Sequence, residues 1–208
     1  MIEVIPSILT SSAQEFEAMV KKLEPHVQRI HIDIVDGKFA KNKTIFGWEE
    51  LSKIKTKLAI DVHLMVQDPI KHLSHWYESQ AERLILHIES EGDLVPILME
   101  LENKGKRRAI ALNPETPAEK ITSLLPHLDF VQFMTVHPGF YGSPFVHEVL
   151  EHIDQFHMAQ PHVPIAVDGG ITPETAPLVV KAGASILVSG SYILQSNDIA
   201  QAIKSLQL

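Results

Sequence analysis

The sequence predicts a closed (β/α)8 TIM barrel, and three observations carry that prediction. Short runs rich in Val, Ile and Leu alternate with longer amphipathic stretches along all 208 residues, and strand–helix alternation implies parallel pairing. Most of the runs lack strict polar alternation, as expected of strands covered on both faces. Eight repeats leave about 26 residues per unit, close to the minimum for a strand, a helix and two short loops. An open doubly wound sheet is the alternative architecture. No Pro/Ser-rich linker or shift of charge divides the chain, so one barrel domain over residues 1–208 is expected.

The strands are expected near Glu3–Leu9, Arg29–Val35, Leu58–Val66, Arg83–Glu89, Arg108–Asn113, Phe130–Val136, Pro164–Asp168 and Ser185–Ser189. Between them, Phe16, Met19, Val20 and Leu23 repeat with helical spacing, as do Ile121, Leu124 and Leu125. Thr116-Pro117-Ala118-Glu119 and Thr172-Pro173-Glu174 each place a capping hydroxyl before a proline at the expected first helical position. Lys181-Ala182-Gly183-Ala184 reads as a helix stop, with glycine just past the end.

Composition excludes several functions. Hydrophobic residues make up 45% and charged residues 21%, an ordinary folded balance. Eighteen Lys+Arg against 26 Asp+Glu give a formal charge of −8, which argues against a broad nucleic-acid surface. A small phosphorylated ligand stays open, because backbone N–H groups can hold it. With no cysteine there is no disulfide, thiolate metal site or cysteine nucleophile. The start, Met-Ile-Glu-Val-Ile-Pro-Ser, lacks signal-peptide character, and no apolar stretch approaches 18 residues. A cytoplasmic protein without a membrane span is the expectation.

In a barrel, chemistry gathers at the C-terminal strand ends. Those ends carry Ser7, His31 with Asp33, His63, His87, Asn113, His137 and Asp168. Polar side chains inside apolar strands are costly unless paired or functional. His31 and Asp33 stand two apart and share one strand face. With His63 and Asp168 they form a two-His, two-carboxylate set suited to one divalent ion: Zn, Fe(II), Mn or Co. The remaining histidines, such as His26 and His162, are expected mostly on the surface, as are the lysines from Lys38 to Lys57.

Glycine forms the second constellation. Pro138-Gly139-Phe140-Tyr141-Gly142-Ser143, Asp168-Gly169-Gly170 and Ser189-Gly190-Ser191 follow the last three strands. Bare backbone at these places matches the common phosphate site of barrels.

The sequence resembles the ribulose-phosphate 3-epimerase family from about Val4 to Tyr192. The resemblance rests on Pro6-Ser7-Ile8-Leu9, His31-Ile32-Asp33-Ile34-Val35-Asp36-Gly37, Asp61-Val62-His63-Leu64-Met65-Val66 and Ala111-Leu112-Asn113-Pro114. It extends through Met134-Thr135-Val136-His137-Pro138-Gly139-Phe140 and Val167-Asp168-Gly169-Gly170-Ile171. It implies a (β/α)8 fold and interconversion of D-ribulose 5-phosphate and D-xylulose 5-phosphate at C3. It places metal ligands on His31, Asp33, His63 and Asp168, and the acid/base carboxylates on Asp33 and Asp168. It puts substrate contacts on Ser7, His63, Met65 and Met134. Phosphate contacts fall on Gly139, Phe140, Tyr141, Gly142, Gly169, Gly170, Gly190 and Ser191. The chain departs from the family at Val35, usually methionine, at Phe39-Ala40-Lys41-Asn42, usually Phe-Val-Pro-Asn, and at His137, Tyr141 and Ser143 of the phosphate turn.

Epimerisation next to a ketone removes a weakly acidic C3 proton from one face and returns one to the other. A cation on the ketone and hydroxyl oxygens stabilises the developing enediolate, and two carboxylates serve as base and acid. D-Allulose 6-phosphate is the competing substrate. An aldolase or decarboxylase, and a non-catalytic sugar-phosphate binder, are the readings from other classes. The expected partner is a small sugar phosphate, with neither nucleic acid nor membrane, and homo-oligomers are open.

Overall fold

Each apolar run becomes a strand. The computed structural model describes residues 2–208. Its strands are β1 (Glu3–Ile8), β2 (Arg29–Val35), β3 (Ala59–Met65), β4 (Ala81–His87), β5 (Arg107–Leu112), β6 (Phe130–Met134), β7 (Ile165–Asp168) and β8 (Ile186–Ser189). They form a closed barrel in chain order, parallel throughout, with β8 returning to β1 through Glu3–Ile186 to Pro6–Ser189.

The outer face of the barrel is apolar because helices cover it. Ile30, Ile32, Ile34, Ile60, Val62, Leu64, Leu84 and Leu86 are buried in one cluster with helix residues such as Phe16, Leu73, Leu98 and Ile153. In α1 (Ala13–Leu23), Phe16, Val20 and Leu23 form the buried stripe, and the Ser12 hydroxyl accepts from the Glu15 N–H at 3.3 Å. That cap contributes about 1 kcal/mol. The short α2 (Trp48–Leu51) buries Leu51, and α3 (Ile70–Tyr77) buries Leu73 and Trp76. Asp93 caps α4 (Leu94–Asn103), and α5 (Val149–Ala159) follows β6.

Two helix starts differ from the sequence expectation. After Thr116-Pro117 the chain makes only two 3-10 turns, Ala118–Ile121 and Leu125–His127, and Thr116 caps neither. Pro126 lies in the second turn, where an α-helix would need its missing N–H. After Thr172-Pro173 the helix α6 (Ala176–Lys181) begins later than expected, although the Thr172 hydroxyl still accepts from the Glu174 N–H at 3.3 Å. Gly183 ends α6 as expected, with φ +117° and the Ala184 N–H returning to the Val179 carbonyl. The chain closes with α7 (Ser191–Leu194) and α8 (Ile199–Lys204).

The barrel interior is layered. At the N-terminal end, Asp61 pairs with Arg29 at 2.6 Å and with Arg83 at 3.3 Å, and Arg83 reaches Glu3 at 3.3 Å. A thin apolar plug of Ile5, Ile85, Ala109, Ala111, Phe130, Ala166 and Ile186 fills the middle. The C-terminal layer is polar, and it holds the candidate site. No helix among the described residues is long and apolar enough to cross a membrane.

Candidate metal centre and active site

The period of two along β2 turns His31 and Asp33 inward, and the β2–β3 register sets His63 directly beside Asp33. Asp168 ends β7 opposite Met134. His31, Asp33, His63 and Asp168 are all buried, and one ligand atom from each lies within 4.8 Å of the others. His31 Nε2 is 3.4 Å from Asp33 Oδ1 and 3.6 Å from Asp168 Oδ2, while His63 Nδ1 is 2.9 and 3.3 Å from the same two oxygens.

That arrangement fits a divalent cation. His31 Nε2 is buried with no hydrogen-bond partner, an orphan that a metal bond would satisfy. Two imidazoles and two carboxylate oxygens are borderline-to-hard donors. The other carboxylate oxygens, Asp33 Oδ2 and Asp168 Oδ1, make no hydrogen bond among the described residues, and both residues line the cleft above. Each carboxylate thus has one oxygen at the centre and one free.

The electrostatics follow from burial and from the close approach of the four side chains. Burial opposes the ionised form of Asp33, yet the adjacent His31 imidazole and the hydrogen bond from His63 hold it well below the usual carboxylate range. Burial likewise opposes a charged His63, but Asp168 and Asp33 outweigh it and raise its pKa to about 9. Behind His63 stands His87, with the two Nε2 atoms 2.9 Å apart and His87 Nδ1 3.0 Å from Glu89 Oε2. Burial lowers His87 to about 4, so its ring is neutral.

The cleft gathers most of the residues expected to meet substrate. Ser7, Met65, Met134, Gly139, Phe140, Tyr141, Gly142, Gly169, Gly170, Gly190 and Ser191 line it together with Asp33 and Asp168. His63 lies beneath it, fully buried. Phe140 is 55% exposed and touches only the rim. Gly169 has φ +110°, and a Cβ there would lie 2.3 Å from Val136 Cγ2, so only glycine makes this turn. The Thr135 hydroxyl donates to the Gly169 carbonyl, and Asn42 Nδ2 donates to the Gly139 carbonyl at 2.7 Å. The second loop therefore braces the sixth.

Other expectations shift. His137 follows β6 but turns outward: its side chain is 70% exposed, 3.7 Å from Glu115. Asn113 is half-buried and outside the cleft. Lys38 is exposed and does not line the cleft. Val35 is buried and does not reach it either, so Met65 and Met134 alone supply its methionines. Two residues at the site escaped sequence reasoning. Glu89 supports His87, and a carboxylate two residues after a strand histidine was its available signal. Gln132 is a fully buried amide inside β6, and its signal was a polar residue within the otherwise apolar Phe130–Met134. A wide concavity of about 1060 Å³, bounded by Arg29, Lys57 and Glu82, is an open depression at the opposite end of the barrel, away from this chemistry.

Comparisons with known proteins agree with this fold. A model of the ribulose-phosphate 3 epimerase family matches residues 3–194. The ribulose-phosphate 3-epimerase of Bacillus subtilis (strain 168) is 36% identical, covering 100% of this chain and 99% of that protein. The chloroplastic ribulose-5-phosphate-3-epimerase of Arabidopsis thaliana is 34% identical over 99% of this chain and 76% of that protein. Among solved structures, a 3-hexulose-6-phosphate synthase superposes with TM-score 0.67 at 18% identity, covering 100% of this chain and 98% of that one. Orotidine 5'-monophosphate decarboxylase from Sulfolobus solfataricus gives 0.65 at 15%, covering 99% and 96%. At those identities the structural likeness concerns the fold alone.

Proposed function

The chain belongs to the ribulose-phosphate 3 epimerase family and is an isomerase acting on a pentulose phosphate, and from that premise we propose that it interconverts D-ribulose 5-phosphate and D-xylulose 5-phosphate through two carboxylates. The observation that carries this reading is the division of Asp33 and Asp168: one oxygen of each faces the histidine pair, and the other is free beside the cleft.

His31, Asp33, His63 and Asp168 would hold one divalent ion, of the Zn, Fe(II), Mn or Co class. Such an ion supplies Lewis-acid stabilisation of the negative charge that develops on the substrate oxygens. The protein moves the protons. Asp33 on β2 and Asp168 on β7 approach C3 from opposite sides, one taking the proton while the other delivers one, each worth roughly 10²- to 10⁴-fold. Met65 and Met134 give the reacting carbons an apolar wall, and Ser7 offers a hydroxyl beside them. The glycine turns at Gly139–Gly142, Gly169-Gly170 and Gly190-Ser191 receive the phosphate through backbone, far enough from C3 that its binding energy orients the sugar.

The test is direct. Metal-replete protein incubated with D-ribulose 5-phosphate in heavy water should yield D-xylulose 5-phosphate carrying deuterium at C3. Free ribulose should react orders of magnitude more slowly in kcat/KM. Preferential turnover of D-allulose 6-phosphate would reassign the substrate, and no turnover of either phosphate would overturn the reading.

A further inference from the structure

Gln132 lies on β6 one inward position below Met134, and its side chain is fully buried beneath the metal centre. The amide end meets Asp168 Oδ2 at 3.3 Å, with His63 Nδ1 at 3.5 Å and Met134 Sδ at 3.7 Å. A carboxylate oxygen only accepts, so the end facing Asp168 is the N–H donor. That choice leaves the Gln132 carbonyl oxygen buried without a partner. A buried acceptor with no donor costs stability, and an apolar side chain of similar shape would carry no such penalty. Packing therefore does not call for glutamine at this position. What glutamine contributes is the N–H on Asp168.

We propose that Gln132 is a positioning residue for the epimerisation. Its N–H tethers Oδ2 of Asp168 toward the histidine pair and leaves Oδ1 turned to the cleft as the oxygen that carries the proton. The terminal torsion of an aspartate is soft and nearly two-fold, so without a tether the two oxygens exchange roles readily. No amide donates to Asp33 among the described residues, whose centre-facing oxygen meets only His31 and His63. The two carboxylates are thus held unequally, and losing the tether slows the Asp168 transfer alone. This inference rests on the two-carboxylate reading above.

Gln132→Met tests it, since methionine keeps length and volume and removes both polar atoms. Supporting partners of a metal ligand are typically worth 10- to 100-fold. The variant should lose about tenfold or more in kcat on D-ribulose 5-phosphate, with KM within about twofold and one metal ion per chain by elemental analysis. The melting temperature of the metal-free variant should equal or exceed the parent's, because the orphan carbonyl is gone. In heavy water the two epimers should part. From the epimer that Asp33 deprotonates, deuterium in recovered substrate should rise relative to product. From the other epimer that ratio should fall. A kcat within twofold of the parent, or equal slowing from both epimers with a lower melting temperature, would overturn the proposal. Gln132→Leu gives the same readouts should the methionine variant fail to fold. A parent enzyme inactive on every ketose phosphate would instead strike the functional reading itself.

Discussion

His63 and His87 face each other through their Nε2 atoms at 2.9 Å, fully buried, so one nitrogen donates and the other accepts. Glu89 settles the direction. Its carboxylate only accepts, so His87 Nδ1 carries the hydrogen and His87 Nε2 takes the hydrogen of His63 Nε2. The Nδ1 lone pair of His63 is then the one left for a cation, on the side where Asp33 and Asp168 stand.

That relay predicts weaker metal binding when it is cut. His87→Phe keeps a ring beside Phe39, whose centroid lies 4.5 Å away, but accepts nothing from His63. Metal affinity should fall roughly 10- to 100-fold, as for other partners of ligating histidines. Glu89→Ala should do the same through a wandering His87. Competition against a chelator measures both, and parent-like affinity in His87→Phe would show that the relay does not orient His63.

Metal binding should also release protons. In the protein alone His63 titrates near 9 rather than 6.5, so at pH 7 a proton occupies the nitrogen the cation needs. Apparent affinity should rise by up to about tenfold per pH unit below 9. Stability of the metal-free protein runs the other way: the raised pKa stabilises fully below about 6.5, and that contribution fades as pH rises through 9. Adding Zn at pH 7 in weak buffer should liberate close to one proton per ion from this group, and no release would contradict the assignment of Nδ1.

The carboxylates should be individually indispensable. Asp33→Asn and Asp168→Asn retain an oxygen at the centre but cannot accept the C3 proton, so each should lose at least ~10²-fold in turnover. Metal content must be measured alongside, because a lost ion would mimic a lost base. His137→Ala should retain turnover within about twofold, since that side chain points to solvent.

The barrel and the cluster of His31, Asp33, His63 and Asp168 were legible for two reasons: strands impose a period of two, and barrels collect function at one end. His31, Asp33, His63 and Asp168 follow from those rules before any coordinate is known. What stayed hidden depends on the third dimension. His137 reads in the sequence as a strand-end residue like His63 or Asp168, yet it lies three residues beyond β6, where the period of two no longer holds. The turns after Thr116 have a helical pattern of apolar residues but carry Pro126 in a second short turn. Tyr141 reads in the sequence as mere bulk near a phosphate turn, because nothing local says what its hydroxyl reaches.

Tyr141 reaches across the mouth of the barrel, and the last prediction concerns that span. Its hydroxyl accepts from the Leu9 N–H at 2.7 Å and donates to the Ser7 carbonyl at 3.0 Å. Its ring covers Gly190, where an added Cβ would lie 2.5 Å from Cε1. With the ring there, the cleft is narrow, with about 50 Å³ of open space. The prediction is that a sugar phosphate enters by lifting this strap, at the expense of two hydrogen bonds of about 0.5–1.5 kcal/mol each. Burial, reinforced by the Asp33 charge, raises the phenol above its ordinary pKa, so ionisation does not open it near neutral pH. Tyr141→Phe keeps the ring and removes both bonds. KM should fall about fivefold or more, as ~1–3 kcal/mol of opening cost disappears, with kcat near the parent's. Gly190→Ala should act oppositely to the loosened strap, wedging ring and Ser7 Oγ apart, the latter 2.7 Å from the new Cβ, and lowering kcat/KM with the barrel intact by circular dichroism. A higher KM in Tyr141→Phe would show that the strap stays closed over bound substrate and that its two hydrogen bonds help to hold the sugar in place.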